Sequence, residues 1–269
     1  MACFSDLPQE LVDYIVELAT PSFSTRGWKE RYKTLKTLHL VNETFLQPAR
    51  RLLAREIAVD SSSALDAFET LLGRTLDTVP NEQYLHPKLL VVKRTRNPST
   101  RWSSPTSEDD SARIMALVDK LQPLVLATGA FDIERTDNIS GVQCRPLRLL
   151  VLDSRFVKST LDYPERFPSS LQILRLKLDP DKMDHSDDAE GLLALLSSSS
   201  FSPRLHELHL ISKSFGDKEV VNAMRGCEDW CSANGVKLYL EQVDDFLKPF
   251  DPSFWRFLDS IKKRLELDV

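Results

Sequence analysis

The sequence predicts an α/β protein: a three-helix N-terminal unit, then a parallel sheet wound with helices as an irregular solenoid, closed by a C-terminal capping helix. Three observations predict it. Apolar residues recur at helical spacing through residues 4–57, broken by turn signals. Beyond residue 60, short LxxLxL runs return again and again with helix-like stretches between them. Finally, DPSFWRFLDSIKKRLEL opens on Asp251 and Pro252 and continues as an amphipathic helix whose Phe254, Leu258, Ile261 and Leu265 share a face.

The first helix is signalled by FSDLPQELVDYIVELA. Ser5 or Asp6 is placed to cap it, Pro8 suits its first turn, and Glu10 follows at capping-box distance. Leu7, Leu11, Ile15 and Leu18 line one face, widened by Val12 and Val16. That stripe is expected to pack the unit, with Leu7 and Pro8 exposed at its mouth. Residues 20–33 form a connection whose second half can already be helical. Then TLKTLHLVNETFLQPARRLL carries Pro48, which lacks an amide hydrogen, in the middle of an apolar run. Two helices are therefore expected, near 33–41 and 44–56, with Asn42 or Thr44 capping the second so that its first turn holds the proline.

The runs that follow are KLLVV, PLVL, LRLLVL, LQILRL, LHELHL and VKLYL. Their last apolar positions are 92, 126, 152, 176, 210 and 240, giving spacings of 34, 26, 24, 34 and 30. One strand plus one helix or loop fits each interval, so the runs read as strands of one parallel sheet. The stretches SARIMALVDKL, DDAEGLLALLSSS and DKEVVNAMRGCEDWCSAN are the helices between them. A doubly wound α/β domain is the rival arrangement. Residues 94–111 read as an exposed loop, and the last helix is expected to close the final repeat.

Composition narrows the function. A net charge of −5 argues against a nucleic-acid binder, which needs a basic face to displace counterions. No apolar run reaches the roughly 18 residues that span a bilayer, so no membrane partner is expected. MACFSDLPQE lacks the basic and apolar regions of a signal peptide, and 4 cysteines in 269 residues make no disulfide framework; cytosol or nucleus fits. Phosphate-cradling glycine motifs and a nucleophile elbow are missing, so an enzyme is not expected and no cofactor is implied. His206 and His209 sit one residue short of the zinc-protease spacing and in a strand. Cys227 and Cys231 stand beside Trp230 without a second pair, and the acidic stretch 179–190 lacks the glycine and closing glutamate of a calcium loop. No metal site is expected.

The N-terminal unit resembles an F-box of the form common in fungal proteins. The matching residues are Leu7, Pro8, Glu10, Leu11, Ile15 and Leu18, then Leu35, Leu38, Leu40, Val41, Asn42, Phe45, Ala49 and Leu53. An F-box followed by degenerate leucine-rich repeats is itself a known arrangement. The resemblance implies two parts, residues 1–58 docking on the Skp-family adaptor of a cullin–RING ubiquitin ligase and residues 59–269 holding a protein substrate. The adaptor contacts it implies are Leu7, Pro8, Leu11, Ile15, Leu38, Val41, Phe45 and Leu53. If the runs line a concave sheet, the residues between their leucines face the substrate: Arg175, Lys177, Glu207, His209, Lys237, Tyr239 and Glu241. A repeat scaffold without a ubiquitin-ligase role is the alternative.

Overall fold

The computed structural model describes residues 7–21, 27–59, 61, 63–70, 87–92, 106–128, 147–153, 167–178, 192–198, 204–212, 218–243 and 252–265. Three helices, α1 (Gln9–Ala19), α2 (Gly27–Val41) and α3 (Glu43–Arg55), pack together around Val12, Val16, Leu35, Phe45 and Ala49. Asn42 stands between the second and third in extended backbone, and its Oδ1 accepts the Thr44 amide at 2.9 Å. That cap satisfies one of the orphan donors at the start of α3. Pro48 falls in the second turn of α3, not the first, and is buried. α2 begins at Gly27, six residues before the expected start at 33, so the second half of the 20–33 connection is helix. The candidate caps Ser5 and Asp6 lie outside the described residues.

The chain passes from α3 directly into β1 (Glu56–Val59) and then through β2 (Leu89–Val92), β3 (Val125–Thr128), β4 (Leu149–Asp153), β5 (Ile173–Leu178), β6 (Glu207–Ser212) and β7 (Lys237–Gln242). All neighbours pair in parallel, and spatial order follows sequence order from β1 to β7. A doubly wound sheet would reverse its winding at a switch point, which this order lacks. Each LxxLxL-type run supplies one strand, and β1 is a further one that the apolar pattern did not signal. The boundary expected at residue 58 therefore cuts through β1; the helical unit ends at Arg55.

One face of the sheet carries the leucines that recur along the strands: Leu90, Leu126, Leu150, Leu174 and Leu208 among them. Against them pack α4 (63–70), α5 (Thr106–Leu121), α6 (192–197) and α7 (Lys218–Asn234). The first of these helices was not expected, and α5 claims residues 106–111 from the expected loop; residues 94–105 and 179–190 are outside the described ones. Gly235, at φ 68°, ends α7, and the Val236 amide reaches back 2.9 Å to the Cys231 carbonyl. This left-handed turn, cheap only for glycine, aims the chain into β7.

The other face is also buried, which corrects the expectation of an open concave surface. Leu89, Val91, Val125, Leu149, Val151 and Ile173 point to it and are covered by Phe254, Trp255, Leu258 and Ile261 of α8 (Pro252–Arg264). Trp28 and Tyr32 of α2 join the same cluster. So α8 lies over the second face of the sheet instead of closing its last repeat. The reason is hydrophobic: strands apolar on both sides need a layer on each. Among the described residues, no helix is long and apolar enough to cross a membrane.

Candidate functional site

α1 has two apolar faces, and only one of them is used inside the molecule. Val12 and Val16 turn inward and are fully buried. Leu11, Tyr14, Ile15 and Leu18, at i, i+3, i+4 and i+7 spacing, form a second stripe that faces solvent. Leu18 is 68% exposed and Tyr14 59%, unusual for side chains of that size grouped on one helix. The stripe expected to pack the unit is thus its outer surface. Asp13, between the two faces, receives Arg51 of α3 at 2.5 and 2.8 Å, which fixes the rotation of α1 about its axis. The pair is two-fifths exposed, so its value is orientation more than stability.

The other residues of the expected adaptor contact set divide. Pro8 is exposed; its carbonyl accepts the Leu11 and Val12 amides, and it serves as the N-cap residue without a side-chain cap. Val41, at the end of α2, is exposed together with Leu40 beside it. Leu7, Leu38 and Leu53 are half-buried against the helical core. Phe45 is 5% exposed and belongs to that core, so it supports the unit from within and presents no surface to a partner. Tyr14 was missed by sequence reading, although its place between Leu11 and Leu18 on a helical wheel is a signal for it.

Three of the seven expected substrate residues, Arg175, Glu207 and His209, lie beneath α8. Arg175 is fully buried, bonded to Glu241 at 3.0 Å and lying 4.3 Å from the Phe257 ring centroid. Glu207 is buried and accepts a hydrogen bond from Arg264 of α8. His209 sits 3.1 Å from Glu207, stacks on Tyr239 at 4.3 Å, and meets Phe257 edge-on. Burial is what brings polar residues of β5 and β6 together with α8: a buried charge persists only when paired. Lys177 is half-buried on β5, while Lys237 and Tyr239 reach solvent at β7. These seven residues do not form one open surface.

Burial drives the His209 pKa below its ordinary 6.5, outweighing the Glu207 carboxylate beside it. For Glu207, burial pushes upward, but the hydrogen bonds from Arg264 and His209 overcome it and the pKa ends below 4.5. Both groups bind fewer protons folded than unfolded as the medium acidifies, so stability falls with falling pH. The His209 contribution is complete above about pH 6.5 and lost on descending through that value; the Glu207 contribution starts to go only below about 4.5. Melting temperature is therefore expected to drop between about pH 7 and pH 5, and His209→Gln to flatten that leg. Thermal melts of both proteins across that range check it; equal pH slopes for the two would refute the assignment.

Among the described residues, no three His, Cys, Asp or Glu side chains gather as a metal site. Cys227 and Cys231 are buried beneath the sheet, and burial pushes their thiols up to about 12 and about 11, far from the thiolate a metal or nucleophile needs. Among the described residues, the large apolar side chains left exposed lie on the outer face of α1, at the end of α2 and on β7, where Tyr239 and Leu240 stand. Compared with protein-family models, curated proteins and solved structures, the chain matches none.

Proposed function

We propose that the protein is a substrate-recognition subunit of a Skp–cullin–F-box-type ubiquitin ligase. The outward stripe Leu11–Tyr14–Ile15–Leu18 carries this reading, because a three-helix unit with an apolar outer face needs a partner to cover it. The F-box resemblance names that partner as a Skp-family adaptor, with Pro8, Leu40 and Val41 as further exposed contacts. The sequential parallel sheet is read as a leucine-rich-repeat-like solenoid that holds a protein substrate. Since α8 covers the second sheet face, the substrate surface lies elsewhere on the repeats, and Arg175, Glu207 and His209 are not part of it.

The test is binding of a purified Skp-family adaptor to the full chain, measured by calorimetry. The parent is expected to bind. Ile15→Asp with Leu18→Asp is expected to weaken binding by at least about thirtyfold, the effect of losing one central anchor worth ~2 kcal/mol. Leu11→Ala, at a half-exposed position, should likewise weaken binding while shifting stability by only about 0.5 kcal/mol. A parent chain that ignores the adaptor would sink the proposal and leave a scaffold without a ubiquitin-ligase role.

A further inference from the structure

Charge is divided unevenly among the three N-terminal helices. α1 carries Glu10, Asp13 and Glu17 and no lysine or arginine, whereas cations outnumber acids on both α2 and α3. The three acids of α1 differ in use. Asp13 works inside the molecule, accepting hydrogen bonds from Arg51 of α3 and, at 2.9 Å, from the Gln9 side-chain amide. Glu10 and Glu17 are exposed, and among the described residues no cation pairs with either. At 3.6 residues per turn they share a line of the helix with Tyr14, at i, i+4 and i+7. That line borders the exposed Leu11–Ile15–Leu18 stripe on the side of Asp13. Helix formation does not call for both acids. Glu10 lies in the first turn, where a carboxylate suits the helix dipole; Glu17 lies in the last, against it, with no basic residue there to offset it.

The acidic border decides what kind of surface can cover the stripe. A second copy seated α1 on α1 would gather Glu10 and Glu17 of both chains around one apolar patch, and like charges brought together oppose association. A helix that lies on a membrane carries lysine or arginine beside its apolar face to meet anionic lipid, and α1 has none. What fits is an apolar groove on another protein, rimmed by cations. We infer that the partner of α1 presents such a groove, and that its lysine or arginine side chains pair with Glu10 and Glu17 at the rim. The inference rests on the adaptor reading for which protein this is; the charge of its rim follows from α1 alone. Pairs of this kind act mainly on the rate of encounter, and salt screens them.

Stopped-flow association of the full chain with a purified Skp-family adaptor tests it. The rate should fall at least about tenfold between about 50 and 500 mM salt. Glu10→Gln with Glu17→Gln should slow association about threefold to tenfold at low salt and flatten that dependence. Glu10→Lys with Glu17→Lys should slow it further. In both variants dissociation and the melting temperature should stay close to the parent's. Glu228→Gln with Asp229→Asn, an equal change of charge at exposed positions of α7, should alter neither rate nor salt dependence. An adaptor that associates equally fast with the parent and the lysine variant overturns the inference and leaves the adaptor reading standing. So does an α7 variant slowed as much as the α1 glutamine variant. A parent that ignores the adaptor overturns both. Two further measurements read the other occupants. Sedimentation of the parent showing self-association that Leu18→Asp abolishes would put a second copy on α1. Flotation of the parent with phosphatidylcholine–phosphatidylserine vesicles would put a membrane there, and either result overturns the inference.

Discussion

A chain that stops at residue 251 is expected to lose cooperative folding altogether, not merely to fray at one end. Deleting α8 would expose Leu89, Val91, Val125, Leu149, Val151 and Ile173 to water and remove the four buried side chains that cover them. Each of those four, Phe254, Trp255, Leu258 and Ile261, contributes about 1.5–3 kcal/mol on burial, roughly 6–12 kcal/mol in all. That is the size of a whole domain's net stability, about 5–15 kcal/mol. Deletion also strips Arg264 from Glu207, and it takes Lys262 from Glu56, which keeps only Arg31. Circular dichroism melts and light scattering read the outcome: no cooperative transition, and aggregation at low concentration. A truncated chain melting within a few degrees of the parent would mean that α8 is an appendage.

The second large effect separates neighbours on α1. Val16→Asp is expected to unfold the helical unit, whereas Ile15→Asp leaves it standing. Val16 is fully buried among Val12, Leu35, Phe45 and Ala49, so an aspartate there loses apolar contact and brings an unpaired carboxylate into the core. The desolvation alone costs at least several kcal/mol. Ile15 is 37% exposed, and its replacement should cost about 1 kcal/mol or less, mostly helix propensity. Chemical denaturation of the two variants gives the comparison. Equal destabilisation by both would mean that α1 is rotated about its axis relative to this description.

The same helix shows what sequence reading reaches and where it stops. Its apolar residues announce a helix, but Leu11, Ile15 and Leu18 and the Val12–Val16 pair are both plausible inner faces. Choosing between them takes α3, whose Arg51 fixes Asp13. The repeating leucines placed six strands because one side of a parallel sheet imposes that period. The burial of the opposite side was also written there, in Leu149 and Val151 or Leu89 and Val91, which make their strands apolar without interruption. Runs of that kind belong to sheets covered twice. Arg175, Glu207 and His209 hid it, since charged residues between leucines look solvent-facing until α8 supplies their partners. β1 was not legible at all: EIAV is too short to carry a period of its own.

The covering of the sheet by α8 has a consequence for the order of synthesis. Lys262 bonds Glu56 across 206 residues of sequence, whereas neighbouring strands pair over a few tens. At ~5–20 residues per second, a ribosome needs on the order of ten to forty seconds to go from one partner to the other. During that interval the strands can pair as they emerge and gather their own helices, yet one apolar side of the growing sheet has only Trp28 and Tyr32 of α2 against it. Until α8 is made, after all seven strands, that side of the sheet stays apolar and largely bare.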